Sequence, residues 1–259
     1  MKKIVLLLAS ALFVFTACTE QTAQVKILAH RGNASTGSQF TTDENTLDAL
    51  ARAQELGFAG VEFDVHLTAD NQLVIRHDNK ITDGLSCQES SFDEIRAYVL
   101  PFGHQIPTLR EWLVQAKKTP HIKQLLEIKS HKGDREKELI AMSLEIIREL
   151  DMLDQMYMIS FDTEVIDEVL RQEPNMKVVL NSSNLHHSLT PEEVKSRGYH
   201  AISYNINVIL NHTDWIEQFR NYGIETFLWM VNTPYTYNIA KDLGFTWVTT
   251  DFYDAITAE

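Results

Sequence analysis

Short apolar runs rich in β-branched residues recur along the chain at residues 25–29, 60–65, 124–128, 156–159, 177–180, 201–204, 225–229 and 246–249. Between them, residues 46–56, 108–118, 135–150, 163–172, 191–197, 214–222 and 234–243 carry apolar positions at the three- and four-residue spacing of amphipathic helices. Strand and helix alternate throughout, which predicts a parallel sheet with helices outside it. Eight such units predict an α/β fold of the closed (β/α)8 TIM-barrel type. An open doubly wound sheet is the alternative, but no G-x-G-x-x-G turn follows the first strand. Residues 73–76 follow 61–67 across the turn-like Ala69-Asp70-Asn71, so they read as an added strand. Residues 79–106 then read as an irregular excursion, a small insertion after the second strand. No repeat, low-complexity tract or linker divides residues 25–259, so one domain is expected.

The chain start has a different pattern. Lys2 and Lys3 precede an apolar run over residues 4–15, and Thr16-Ala17 precedes Cys18. This is the pattern of an export signal. The run is shorter than the about 20 residues that span a bilayer. The ending Phe15-Thr16-Ala17-Cys18 resembles a bacterial lipoprotein signal, with plain cleavage as the alternative. The expected organisation is a signal peptide at 1–17, a lipid-bearing Cys18 with a linker over 18–24, and a periplasmic or cell-envelope location. Membrane contact is then expected only through the lipid. Of the two cysteines only Cys87 then remains, in a polar stretch that reads as a loop, so no intrachain disulfide is available.

The formal net charge of −13 disfavours nucleic acid, which calls for a clustered basic face. A small anionic ligand remains compatible if a cation and a few local Lys or Arg side chains reverse the potential within a site.

In a barrel, polar residues at strand C-terminal ends are the candidates for chemistry. The first strand ends in His30-Arg31-Gly32. The second contains Glu62 and Asp64, two apart and hence on one face, among the alternating apolar Val61, Phe63 and Val65. Two buried carboxylates on one face stay ionised when a cation bridges them, and oxygen ligands suit Mg²⁺ or Ca²⁺. The third strand places Glu127 and Lys129 on one face. Glu127 is a third candidate ligand, while Lys129 and the planar fork of Arg31 are candidates for holding a phosphate. His77 closes the added strand. Together with His30 it offers an acid/base pair beside a metal. A structural Glu–Lys pair and a surface His-Arg turn are the alternatives.

These residues resemble the glycerophosphodiester phosphodiesterase family from about Lys26 to Asp251. The matching motifs are His30-Arg31-Gly32, Glu44-Asn45-Thr46, Glu62-Phe63-Asp64, His77-Asp78, Ile106-Pro107-Thr108-Leu109, Glu127-Ile128-Lys129, Ser160-Phe161, Trp229-Met230-Val231-Asn232 and Thr250-Asp251. The resemblance implies that His30 and His77 are the acid/base pair and that Glu62, Asp64 and Glu127 bind a divalent Ca²⁺ or Mg²⁺. It implies that Arg31 and Lys129 hold the phosphate, that Glu44 lies close to the metal, and that Trp229 forms an apolar wall for the substrate. For Glu44 and Trp229 the alternatives are a cap on the helix beginning near Thr46 and plain core. Asp43 stands where a proline commonly precedes E-N-T, and residues 79–106 resemble the family's small inserted cap. The implied reaction is hydrolysis of a small-molecule glycerophosphodiester to sn-glycerol 3-phosphate and an alcohol. A barrel phosphodiesterase acting on another head group, phosphoinositide or lysophospholipid, and an inactive phosphodiester-binding lipoprotein are the alternatives.

Overall fold

The computed structural model describes residues 24–32, 40–131 and 133–257. Among these, eight parallel strands close on themselves. They are β1 (Lys26–Ala29), β2 (Gly60–Leu67), β3 (Lys123–Ile128), β4 (Met156–Ser160), β5 (Lys177–Ser182), β6 (Ala201–Asn205), β7 (Glu225–Trp229) and β8 (Trp247–Thr250). Each neighbours the next in sequence, and β1 pairs with both β2 (Leu28↔Gly60) and β8 (Lys26↔Trp247), so no edge is left among them. Helices α1 (Leu47–Leu56), α2 (Leu109–Ala116), α3 (Arg135–Glu149), α4 (Thr163–Gln172), α5 (Pro191–Ser196), α6 (Trp215–Asn221), α7 (Pro234–Leu243) and α8 (Tyr253–Thr257) follow the strands on the outside. The expected (β/α)8 barrel is therefore the fold. Several strands run past their expected ends, as far as Ser160, Ser182, Asn205 and Thr250, because their polar terminal residues keep the ladder going toward the mouth.

Helix starts follow local chemistry. Thr46 caps α1 by accepting from the Ala49 N–H, and Thr108 and Thr190 form reciprocal capping boxes with Glu111 and Glu193. The apolar faces of these helices pack on the outward residues of the strands in one large core.

A second core fills the lumen. Since side chains alternate along a strand, residues two apart share a face. Leu28, Leu125, Tyr157, Ile159, Val179, Ala201, Phe227 and Trp247 form this inner cluster, with the Phe227 and Trp247 rings stacked 5.3 Å apart. Glu225 accepts from the Tyr157 hydroxyl (2.9 Å) and the Trp247 indole N–H (2.7 Å), pairing the polar ends of both rings. Gly60 belongs to the same layer. A Cβ there would lie 3.1 Å from the Leu28 side chain and 3.3 Å from both the Lys123 carbonyl and the Trp247 ring, so the absence of a side chain lets β1 and β2 close. Two residues further along each strand comes the mouth layer: His30, Glu62, Glu127, Phe161, Asn181, Ser203, Trp229 and Thr249.

The added strand, Leu73–Ile75, runs antiparallel to β2 (Val65↔Ile75) and carries the chain back to the mouth at His77. Residues 79–106 are not the irregular excursion expected. They contain a hairpin, Lys80–Thr82 with Leu85–Ser86, and a capped helix, Phe92–Ala97, packed on a small core of Val74, Cys87, Ile95, Leu100 and Ile106. Runs this short carry no periodicity a sequence pattern can register. Cys87 is fully buried there, and burial pushes its thiol up to about 12, far from a nucleophilic thiolate. The expected export signal and Cys18 lie outside the described residues.

Candidate active site

The first strand delivers two residues to the mouth through a backbone turn. Arg31 (φ 55°) and Gly32 (φ 65°) both adopt left-handed conformations, and a Cβ on Gly32 would come within 2.8 Å of the Trp112 ring. The turn is held by the Asn45 N–H donating to the Arg31 carbonyl (2.7 Å) and by the Arg31 N–H donating to Glu62 Oε2 (2.9 Å). Its geometry thus orients a carboxylate of the next strand.

Glu62, Asp64 and Glu127 converge as expected. Each is at least nine-tenths buried, and one oxygen from each lies within 4.8 Å of the others. Asp64 Oδ2 accepts from the Asn45 side-chain amide at 2.8 Å, while Asp64 Oδ1 has Lys129 Nζ 2.8 Å away without hydrogen-bond geometry. Lys129 also donates to Glu127 Oε1 (2.6 Å). The electrostatics divide the three. Burial, then repulsion from Asp64 and Glu127, holds the Glu62 carboxyl well above its usual range, and burial and Asp64 also raise Glu127. Burial pushes Asp64 up too, but Lys129, His77 and the Asn45 amide outweigh it and hold its carboxyl low. One ammonium thus compensates three buried carboxylates only in part. Hard oxygen donors at this spacing, one of them without a hydrogen bond, fit a divalent Ca²⁺ or Mg²⁺ held by Glu62, Asp64 and Glu127.

The two histidines reach this cluster from different strands, His30 from the end of β1 and His77 from just beyond the added strand. His30 Nδ1 lies 2.7 Å from Asp251 Oδ1, and Asp251 is itself fixed by the Asn232 side-chain amide and by its own N–H donating to Asn232 Oδ1 (2.9 Å). His30 Nε2 is 4.0 Å from Glu62 Oε2. His77 Nδ1 lies 2.8 Å from Asp78 Oδ1. An ionised carboxylate only accepts, so in both rings Nδ1 carries the proton and Nε2 is the atom left for proton transfer. Burial, with Lys129 and Arg31 nearby, lowers the His77 pKa despite Asp64, which favours its neutral form.

Both histidines line a cavity of about 280 Å³ at the mouth. Arg31, Glu62 and Glu127 share its charged side. Leu125, Ile159, Phe161, Trp229 and Met230 form an apolar side, with Asn181, Ser203 and Thr249 between. Trp229 donates its indole N–H to the Ser203 carbonyl (2.9 Å) and meets Phe161 edge-on at 6.0 Å, so it is a wall of the cavity rather than plain core. Arg31 and Lys129 both reach carboxylates: Arg31 Nη1 is 3.1 Å from Glu44 Oε2, and Lys129 bridges Asp64 and Glu127. Glu44 is no helix cap, since Thr46 performs that role. Asp43, in place of the proline, is buried and accepts from the Phe102 N–H (3.0 Å) with His104 Nδ1 2.9 Å away, tying the insertion to the Glu44 loop.

Asp78, Asp251, Asn232 and Asn45 take part in the arrangement and lie outside the expected set of site residues. Each falls inside a quoted motif, and that was the available signal. Phe161 is in the same position, within Ser160-Phe161.

Comparison with known proteins decides the family. The model of the glycerophosphoryl diester phosphodiesterase family matches residues 30–255. The chain belongs to this family. It is thereby an enzyme, a phosphoric diester hydrolase. A crystal structure of a glycerophosphodiester phosphodiesterase from Parabacteroides distasonis shares 33% identity and superposes with a TM-score of 0.80, over 88% of this chain and 92% of that one. The glycerophosphodiester phosphodiesterase of Caldanaerobacter subterraneus is 27% identical over 226 residues, covering 80% of this chain and 85% of that protein. An Oleispira antarctica phosphodiesterase, solved in complex with the product sn-glycerol-3-phosphate, shares the fold at TM-score 0.73 and 23% identity, over 90% of this chain and 95% of that one.

Proposed function

We propose that this family member hydrolyses glycerophosphodiesters to sn-glycerol 3-phosphate and an alcohol, with His30 and His77 as its proton-transfer pair and a divalent metal on Glu62, Asp64 and Glu127. The observation that carries this reading is the convergence of three buried carboxylates, two of them lining one cavity, with two imidazoles in that cavity whose Nδ1 atoms are each held by an aspartate. The metal, Ca²⁺ or Mg²⁺, would neutralise charge on the phosphoryl oxygens. Arg31 and Lys129, already beside the carboxylates, are placed to hold the phosphate as cations. One histidine Nε2 takes a proton from the attacking nucleophile while the other gives one to the departing oxygen. Asp251 and Asp78 keep the rings in the tautomer that this exchange needs. The apolar side, with Trp229 and Phe161, receives the carbon skeleton of the substrate. The product bound to the Oleispira antarctica relative supports sn-glycerol 3-phosphate as the phosphorylated product.

The test is an incubation of purified protein with a panel of glycerophosphodiesters, with sn-glycerol 3-phosphate measured enzymatically. Its stoichiometric appearance with the free alcohol is expected. Release of free glycerol with the phosphate left on the alcohol, or no turnover of any glycerophosphodiester, would sink this reading in favour of another head group or a binding protein. We further infer, from residues 1–18, that the enzyme is exported and tethered to the cell envelope through Cys18, since stable anchoring takes more than one acyl chain and lipoprotein cysteines carry several. Cys18→Ser is expected to leave the membrane fraction; an unchanged distribution speaks against the anchor.

A further inference from the structure

His66 continues the inward-facing series of β2 that begins with Glu62 and Asp64, yet it does not line the cavity. It is 3% exposed and its ring is held at both nitrogens. Nε2 lies 3.1 Å from the His77 backbone carbonyl oxygen, which can only accept, so Nε2 carries the proton. Nδ1 lies 3.1 Å from Gln88 Nε2, and that same amide nitrogen donates to the Ser130 carbonyl at 2.9 Å. The Ser130 contact identifies the Gln88 atom as the NH₂, so Nδ1 of His66 accepts. Gln88 belongs to the insertion, where its own N–H is held by the Asn79 side chain (2.9 Å). Ser130 follows Lys129 directly at the end of β3. One ring and one amide therefore join three pieces of chain: the His77 segment, the insertion, and the β3 end.

We propose that His66, backed by Gln88, is a positioning residue for His77. It fixes the main-chain carbonyl of His77, while Asp78 fixes only the ring, and the insertion thereby reaches the chemistry through Gln88. On either side of His77, Arg76 donates its N–H to the Asp64 carbonyl (3.0 Å) and the Asp78 carbonyl accepts the longer contact from Cys87 Sγ (3.6 Å), while the His66 ring takes the carbonyl of His77 itself. Loss of the His66 contact is expected to let the imidazole wander by a fraction of an ångström, and such misplacement lowers turnover without removing any group that touches substrate.

This inference rests on the assignment of His77 to proton transfer, and a double-mutant cycle separates the two. His66→Leu and Gln88→Leu are each made in the wild-type enzyme and in His77→Ala, and kcat and KM are measured with sn-glycero-3-phosphocholine. In the wild-type background each is expected to lower kcat by roughly 10–100-fold, the usual range for an outer-shell partner, with KM little changed. In the His77→Ala background each is expected to add almost nothing. His66→Gln, whose amide can donate to the His77 carbonyl, is expected to recover part of the loss. Gln88 is only partly buried and outside the small core of the insertion, so its variant remains informative if His66→Leu fails to fold. Losses that persist in full in the His77→Ala background, or wild-type kcat in both leucine variants, overturn the positioning role and leave the reading of His77 standing. Wild-type turnover by His77→Ala itself overturns that reading, and the positioning role with it.

Discussion

Chelation is expected to abolish turnover and to lower the melting temperature of the protein, and added Ca²⁺ or Mg²⁺ to restore both. The physical cause is the charge imbalance beneath the cavity. Glu62, Asp64 and Glu127 are buried together with Lys129 as the cation between two of them, and the Glu62 carboxyl is held well above its usual range by burial and by its two neighbours. A carboxyl in that condition either takes a proton or accepts a counter-cation. Binding to the folded state alone stabilises it by about 2.7 kcal/mol when the ion is at a hundred times its Kd. For a domain of this size that corresponds to a rise of roughly 5–11 °C. Glu62→Gln removes one charge and one oxygen ligand while keeping the shape, and its amide oxygen can still accept from the Arg31 N–H. It is expected to fold, to lose most of its activity and to show little thermal response to either ion. Calorimetry with and without chelator measures this directly. A chelated protein with unchanged rate and unchanged melting temperature would remove the metal from the mechanism.

Much of this site was legible because β2 states its own geometry. In Gly60–Leu67 the residues Val61, Phe63 and Val65 alternate with Glu62, Asp64 and His66, so both the strand and the shared face of the carboxylates follow from a period of two. The same alternation gives Glu127 and Lys129 on β3, and the barrel follows from the count of strand and helix units. The rest of the site depends on distance along the chain or on local competition. Asp251 meets His30 across 221 residues, and only the β1–β8 closure brings them together. Asn232 reaches Asp251 from the end of β7 for the same reason. Glu44 could be read as a helix cap because it precedes the first turn of α1. The hydroxyl of Thr46 takes that role instead, since it is the residue immediately before Leu47 and is extended, leaving Glu44 to pair with Arg31. The insertion was visible as a break in alternation, but its core is assembled from single residues of several short pieces.

The aspartate–histidine pairs also explain why the site needs both ends of the chain. Asp251 holds His30 by way of β8 and Asn232, while Asp78 holds His77 from within the adjacent turn. The two rings are therefore restrained independently, one by barrel closure and one by its own neighbour in the chain. Independent restraint would suit the opposite proton roles proposed for them, since each keeps Nε2 free whatever the other does.

Substitution of either histidine by alanine is expected to lower kcat on glycerophosphodiesters by roughly 10²–10⁴-fold, the usual contribution of a positioned proton donor or acceptor. KM is expected to change far less, because the cations and the apolar wall remain. If both histidines act on one substrate in coupled steps, the double variant should lose much less than the product of the single losses. The dependence of kcat on pH should be bell-shaped, with limbs that belong to the coupled pair rather than to either ring. The leaving group separates the two roles. A phosphodiester of nitrophenol departs with little need of a proton, so the variant lacking the acid should be largely rescued on that substrate while the variant lacking the base stays slow. Asp251→Asn and Asp78→Asn carry the same logic one step back. An amide can donate to Nδ1 and so favours the wrong tautomer, and each substitution should reproduce, in weaker form, the leaving-group behaviour of the histidine it touches. Near-wild-type turnover of glycerophosphodiesters by both His30→Ala and His77→Ala would refute the assignment, and equal slowing of both on the nitrophenyl ester would refute the division into acid and base.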